Sequence, residues 1–222
     1  TGMGPRGDVI AEADWCIGEF MATLETLGIL DNTLIVFSSD NGPVLNDGYY
    51  DDAVEKLGDH QPAGALRGGK YSLFEAGTRV PFITYWKGKI EPGVSDALVC
   101  QIDLLSSLAE VVGSDVRGID SESLSAVFLG KKDEGRDQLV LEATTRTAFR
   151  KGDWLMIPPY KGQKVNKYVN IELGNLPDYQ LYNLADDLSQ QQNLATSNPE
   201  KLQEMIDEFT KVRGSDFQNT EK

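Results

Sequence analysis

The stretch Thr33-Leu34-Ile35-Val36-Phe37-Ser38-Ser39-Asp40-Asn41-Gly42 decides the fold class. Its first part is apolar on both faces, as in a parallel-sheet strand covered by helices on each side. A polar motif at the carboxyl end of such a strand lies where open α/β sheets place their ligands. Asp40 offers a carboxylate and Asn41 an amide carbonyl, oxygen donors of the kind calcium and magnesium take. Along a regular strand these neighbours would point to opposite faces. Just past its end, with Gly42 relaxing the backbone, they can converge on one ion. Asp-Asn-Gly is also ordinary turn chemistry, and the motif alone leaves both readings open.

Further along, Leu66-Arg67-Gly68-Gly69-Lys70 sets a flexible cation on a glycine hinge. Two glycines allow close approach of the backbone to a ligand, and Lys70 could bring a compact charge to an anionic oxygen. A solvated loop lysine is the plain alternative. Together the two motifs suggest a site for a metal ion and an oxyanion. Between them runs a long Gly- and Asp-rich excursion, residues 42–69, with Tyr49, Tyr50 and the sole histidine, His60. Loops of this length within compact domains are functional or mobile.

Outward from this centre, Ile10, Ala13, Ile17, Phe20, Leu24 and Leu27 recur at helical steps, predicting an amphipathic helix over 8–27 that stops at Gly28. A second strand is expected over 79–86, with Pro81 marking an edge or a beginning. Asp103 is placed to cap a helix whose Leu105, Leu108 and Val112 share a face and which ends at Gly113. Beyond about residue 130 the texture changes, and short strands are expected over 138–143, 147–157 and 179–184, with Lys151-Gly152-Asp153 as a turn. A last helix takes Asn198 as its N-cap and Pro199 as its first residue, and buries Leu202, Met205, Ile206, Phe209 and Val212. The reading is an α/β part followed by a small antiparallel sheet with one covering helix, divided as 1–132 and 133–222.

Composition bounds the rest. With 222 residues, 40% of them hydrophobic, the chain can build a real core. A net charge of −14 argues against a nucleic-acid partner, though a local positive pocket can still hold an anion. No apolar run approaches the roughly 20 residues that span a bilayer, so no membrane partner is expected. Cys16 and Cys100 are too few for a disulfide framework, and their apolar settings read as buried small hydrophobes.

The order and wording of several segments resemble the C-terminal part of the sulfatase family, within the alkaline-phosphatase-like superfamily. The resemblance rests on residues 30–43 and 66–70, on Glu75-Ala76-Gly77-Thr78-Arg79-Val80-Pro81-Phe82-Ile83, and on Trp86-Lys87-Gly88-Lys89-Ile90. It continues through Val94-Ser95-Asp96-Ala97-Leu98-Val99, Gln101-Ile102-Asp103-Leu104-Leu105, Gln180-Leu181-Tyr182-Asn183-Leu184 and Gln192-Asn193-Leu194-Ala195, and so covers nearly the whole chain.

The resemblance implies an α/β fold with part of an alkaline-phosphatase-like mixed sheet flanked by helices, closed by a small C-terminal antiparallel sheet with one helix. On that reading residues 1–132 belong to the sulfatase α/β domain and 133–222 form its C-terminal subdomain. The implied activity is hydrolysis of sulfate esters with a divalent cation, Ca2+ before Mg2+. Asp40 and Asn41 match two metal ligands, and Lys70 matches the lysine that contacts the sulfate or the leaving-group oxygen. The family's nucleophile is a formylglycine made from Cys or Ser in a C/S-x-P-x-R motif. Neither cysteine here fits, nor does any serine, so it is expected upstream with the remaining metal ligands, in an N-terminal portion that would act as partner.

The wording of the 43–65 loop and of residues 166–184 is most similar to sulfatases of polysaccharide-degrading bacteria. It implies a sulfated glycan as substrate and a periplasmic or secreted location. His60, Tyr49 and Tyr50 are candidates to line a sugar subsite, with a solvent-facing loop position as the alternative for His60. His60 is not the family's catalytic histidine, which precedes the Asp-Asn motif. A phosphoesterase or phosphonate hydrolase of the same superfamily and a non-catalytic binding protein are the competing expectations. The segment by itself is expected to be inactive.

Overall fold

A computed structural model describes residues 1–48 and 50–214; Tyr49, a subsite candidate above, lies outside the described residues. In chain order the elements are α1 (Gly4–Thr26), β1 (Ile35–Ser38), α2 (Glu75–Thr78), β2 (Phe82–Tyr85), α3 (Asp103–Val111), α4 (Ser125–Phe128), β3 (Gln138–Ala143), β4 (Arg146–Lys151), β5 (Trp154–Ile157), β6 (Val165–Asn166), β7 (Ile171–Glu172), β8 (Gln180–Asn183) and α5 (Pro199–Arg213). They gather into two compact units, one of residues 1–18, 39–81 and 140 onward, the other of 19–38 and 82–139.

Helix α1 begins at Gly4 rather than near residue 8. It stops as expected at Gly28, whose φ of +68° suits the glycine stop, and the Ile29 N–H closes on the Leu24 carbonyl at 3.0 Å. Of its periodic apolar residues only Leu24 is buried, while Ile10, Phe20 and Leu27 are exposed. Cys16 is exposed on the same helix and Cys100 is half-buried, which corrects the expectation that both lie inside. Periodicity marks a face that could be covered; it does not show that these residues cover it.

In the second unit β1 pairs antiparallel with β2, Ile35 opposite Tyr85 and Ser38 opposite Phe82. This corrects the parallel arrangement expected for 33–38. An apolar run on both faces reports fitness for burial, not strand direction, and the opposed Phe37 and Ile83 are exposed here. Helix α3 shows the reverse of its expected facing. Leu105, Leu108 and Val112 are exposed, whereas Asp103, Ser106, Ser107 and Ala109 are buried. The Ser107 hydroxyl accepts the Leu124 N–H at 2.8 Å, and the Ser106 hydroxyl donates to the Ser121 carbonyl at 3.1 Å.

Asp103 does not cap α3; Ile102 holds the N-cap position. The Asp103 carboxylate is fully buried and takes the Cys100 N–H at 3.0 Å and the Glu122 N–H at 2.9 Å. Arg136 completes the set with Nε at 2.8 Å and Nη2 at 2.5 Å. The shielded carboxylate beside it raises the Arg136 pKa above the ordinary arginine value.

The first unit is built on the sheet β3-β4-β5-β8. Strands β4 and β5 form an antiparallel hairpin across Gly152, at φ +54°, as the Lys151-Gly152-Asp153 signal predicts. Alternation sorts the side chains to two faces. Ala148, Leu155, Ile157 and Tyr182 cluster with Leu73 and Phe74. Phe149, Met156 and Leu181 cluster with Met205 and Phe209 of α5. Phe149 and Phe209 stack with centroids 5.2 Å apart. Burying each such side chain contributes about 1.5–3 kcal/mol.

The covering helix is therefore as expected, but the opposite face is covered too, by the segment that follows Lys70. Pro199 opens α5 as expected; Asn198 stands at the N-cap without a side-chain cap bond, and Val212 is exposed. The two-residue ladder β6–β7 was not foreseen. Among the described residues no helix is long and apolar enough to cross a membrane.

Candidate functional site

Asp40, Asn41 and Lys70 all belong to the first unit. Backbone bonds bring their motifs together. The Lys70 N–H donates to the Pro43 carbonyl at 3.0 Å, and the Gly42 N–H donates to the Gly77 carbonyl at 2.9 Å. Such an approach leaves no room for side chains at three positions. A Cβ on Gly42 would stand 1.6 Å from the Ala76 oxygen, one on Gly69 2.6 Å from the Pro43 oxygen, and one on Gly77 2.1 Å from the Ser72 oxygen. Gly42 is thus required by a backbone contact, not by turn geometry. That is a reason the local Asp-Asn-Gly pattern does not carry.

The Asp40 carboxylate is exposed and accepts its neighbour's N–H, from Asn41, at 2.9 Å through Oδ1. The Asn41 amide donates to the Gly42 carbonyl at 2.9 Å. This leaves Asp40 Oδ2 and the Asn41 side-chain carbonyl without a protein partner among the described residues. Both are hard oxygen donors suited to a calcium-like cation. Among the described residues no three His, Cys, Asp or Glu side chains group as a metal site, and the pair by itself could offer only part of a coordination shell.

Lys70 does not stand free. Its ammonium pairs with Asp47 Oδ2 at 2.7 Å, and the Tyr71 hydroxyl holds the same carboxylate at 2.9 and 3.1 Å. The hydrogen bond from Lys70, then that from Tyr71, lowers the Asp47 pKa; in return the bond to Asp47 raises that of Lys70. Tyr71 has φ +76°, a left-handed conformation that costs a bulky residue about 1–3 kcal/mol. Its carbonyl accepts Arg146 Nη2 at 2.7 Å. Arg146 also donates to the Leu173 carbonyl at 2.9 Å and to the Asn175 side-chain oxygen. Burial lowers its pKa from the usual arginine value, and no carboxylate among the described residues pairs with it.

The other end of the hinge is anchored as firmly. Arg67 makes a two-pronged contact with Glu172 at 2.7 and 3.0 Å, reaches the Gln190 carbonyl at 2.6 Å, and lies 4.0 Å over the Phe74 ring. The buried Glu75 faces Arg150 at 3.4 Å and Arg79 at 3.5 Å, and its N–H bonds the Gln190 side chain at 2.8 Å. Lys70 is therefore a side chain paired with Asp47 on a fixed backbone.

His60 is exposed, and its N–H bonds the Leu57 carbonyl at 3.3 Å. No hydrogen bond or ion pair among the described residues joins it to Asp40, Asn41 or Lys70, so the structure does not bring it into the cluster. Tyr50 is exposed and bonds Glu55 at 3.3 Å. Asp47, Tyr71 and Arg146 are the residues that sequence reasoning missed. Asn46-Asp47-Gly48 carried only a turn signal, and nothing local marks Tyr71 for a left-handed conformation.

The Sulfatase family model matches residues 3–114. An N-acetylgalactosamine-6-O-sulfatase of Bacteroides thetaiotaomicron is 42% identical over 217 residues, covering 96% of this chain and 42% of that protein. Arylsulfatase A of Homo sapiens is 34% identical over 141 residues, covering 63% of this chain and 26% of that protein. A solved Bacteroides thetaiotaomicron structure, from work on the metabolism of multiple glycosaminoglycans, superposes with a TM-score of 0.91 at 42% identity. It is matched over 95% of this chain and 45% of its own. The chain thus spans less than half the length of the relatives it matches. Its mixed α/β architecture with a closing antiparallel sheet is that of the alkaline-phosphatase-like sulfatases. With the matched model, the motif order and the backbone all in agreement, this chain belongs to the sulfatase family.

Proposed function

We propose that the protein containing this chain hydrolyses sulfate esters of a glycan, with residues 1–132 as part of its α/β domain and 133–222 as its closing subdomain. The observation that carries this reading is the backbone contact that sets the segment following Asp40-Asn41 against the Lys70 hinge, through the Pro43 carbonyl. Asp40 and Asn41 would hold a divalent cation, calcium before magnesium, and the bound ion would polarise the sulfuryl oxygens. Lys70 would meet the sulfate or the departing oxygen and neutralise the charge that develops there. The attacking group, a formylglycine, and the remaining ligands would come from outside these residues.

The name of the 42%-identical relative makes 6-O-sulfated N-acetylgalactosamine the first substrate to test. His60 and Tyr50 would border the sugar, and the enzyme would work in the periplasm or outside the cell. The test is sulfate release by the full-length protein from that sugar, before and after chelation and calcium return, beside a phosphate monoester and a phosphonate. Calcium-restored sulfate release supports the reading. A preference for the phosphorus esters would replace it with the phosphoesterase alternative, and inactivity on all three would favour a binding protein.

A further inference from the structure

Lys70 sits in a clamp made of Asp47, its own neighbour Tyr71 and the remote Arg146, and the proposed sulfatase reading leaves that clamp without a role. Asp47 takes one ammonium N–H on Oδ2 at 2.7 Å. An ammonium has three N–H donors, so two remain for other oxygens. The Tyr71 hydroxyl binds the same carboxylate, and this fixes its orientation. An exposed lysine–aspartate pair by itself contributes little and is often incidental. This one differs in two respects. Tyr71 is held in a left-handed conformation that tyrosine disfavours, and Arg146, with no carboxylate of its own among the described residues, donates to the carbonyl of that same residue at 2.7 Å. A strained residue supported from beneath, next to a residue matched to catalysis, is a pattern of functional sites.

Resting on the sulfatase reading above, we infer that Asp47 and Tyr71, braced by Arg146, are positioning residues that aim the Lys70 ammonium at the leaving-group oxygen. The carboxylate holds the lysine charged and steers its two remaining N–H groups. The Arg146 contact at the Tyr71 carbonyl keeps the hydroxyl on Asp47. No bond is made or broken by the clamp itself. Its effect is confined to the step in which charge grows on the departing oxygen, so it scales with how much that oxygen needs stabilising.

That scaling gives the test. In the full-length protein, Asp47→Asn, Tyr71→Phe and Lys70→Ala are compared on a sugar 6-sulfate, a poor leaving group, and on 4-nitrophenyl sulfate, a good one. Asp47→Asn keeps the shape and removes the charge; kcat on the sugar ester should fall by about 10²-fold with KM little changed, in the range of a positioned proton or charge donor. The loss on the nitrophenyl ester should be only a few-fold, and Tyr71→Phe should show the same skew, more weakly.

Equal losses on both esters would overturn the inference, as would a rise in KM with kcat unchanged, which would make Asp47 a substrate-binding residue. If Lys70→Ala is inactive while Asp47→Asn and Tyr71→Phe behave as the parent, the clamp falls and the sulfatase reading stands. If Lys70→Ala keeps full activity, both fall. Should Asp47→Asn not fold, the leaving-group skew of Tyr71→Phe decides.

Discussion

Replacing Gly42 with alanine is the sharpest geometric test of the site. The added Cβ would lie 1.6 Å from the Ala76 oxygen, 2.7 Å from the Ala76 carbonyl carbon and 3.2 Å from the Gly77 Cα, all of them backbone atoms. Ordinary contact begins at 3.4 Å, so the two segments must part by about 1.8 Å. The Gly42 N–H bond to the Gly77 carbonyl, 2.9 Å long, cannot survive that separation. Overpacking costs about 1–3 kcal/mol and the lost bond about 0.5–1.5 kcal/mol. We expect a loss of about 2–4 kcal/mol, or roughly 4–16 °C in Tm for a folding unit of this size.

Because Asp40 and Asn41 directly precede Gly42, their oxygens move with it. A displacement near 1 Å costs on the order of 10²-fold in rate. Scanning fluorimetry and sulfate release by the full-length protein read both effects. Gly93→Ala, where an added Cβ meets nothing within 4 Å, is the control. A Gly42→Ala protein with the stability and activity of its parent would show that the close approach of residues 42 and 76 does not exist.

Arg136→Met should destabilise by about 3–5 kcal/mol in denaturant titrations, because it strands the buried Asp103 carboxylate. The Asp103→Leu/Arg136→Met pair should lose less than that single change; a larger loss would refute the account. The Asp47–Lys70 bond sets its own pH window. Asp47's contribution is complete above its ordinary value of 3.8 and is lost as pH falls through its depressed folded-state value. Lys70's contribution is complete below 10.5 and is lost as pH rises through its raised value. The Tm difference between the parent and Asp47→Asn should therefore stay flat from about pH 5 to about pH 9, and a slope inside that window would contradict the pairing. His60→Ala in the full-length protein should raise KM for the glycan, and unchanged kinetics would remove His60 from the sugar subsite. Residues 1–222 alone should release no sulfate from 4-nitrophenyl sulfate, and turnover at an enzymatic rate would disprove that.

Periodicity two and turn chemistry made the closing sheet readable. Residues 138–143 and 180–183 and the Gly152 turn lie where the pattern puts them, because cross-strand pairs there are local or end in clear breakers. Facing was less readable. In α3 the leucine stripe is as regular as any core face, yet the serines and Asp103 turn inward, since their partners Ser121, Glu122, Leu124 and Arg136 are remote in sequence. In the site, Asp40, Asn41 and Lys70 were visible by residue type and order. Asp47 was one acid among several in its loop, and Tyr71 breaks the rule that left-handed positions favour glycine or asparagine.

The anchoring of the Lys70 hinge has a temporal consequence. Arg67 reaches Glu172 across 105 positions and the Gln190 carbonyl across 123, and the Glu75 N–H reaches Gln190 across 115. At ribosomal rates of about 5–20 residues per second, the hinge waits roughly 5–25 s for these anchors to be made. The sheet that covers Leu73 and Phe74, almost wholly buried at the end, is complete only once β8 has been made. The lysine's own partners, Pro43 and Asp47, are made before it, whereas the flanking Arg67 and Glu75 take their final anchors only when Gln190 has emerged.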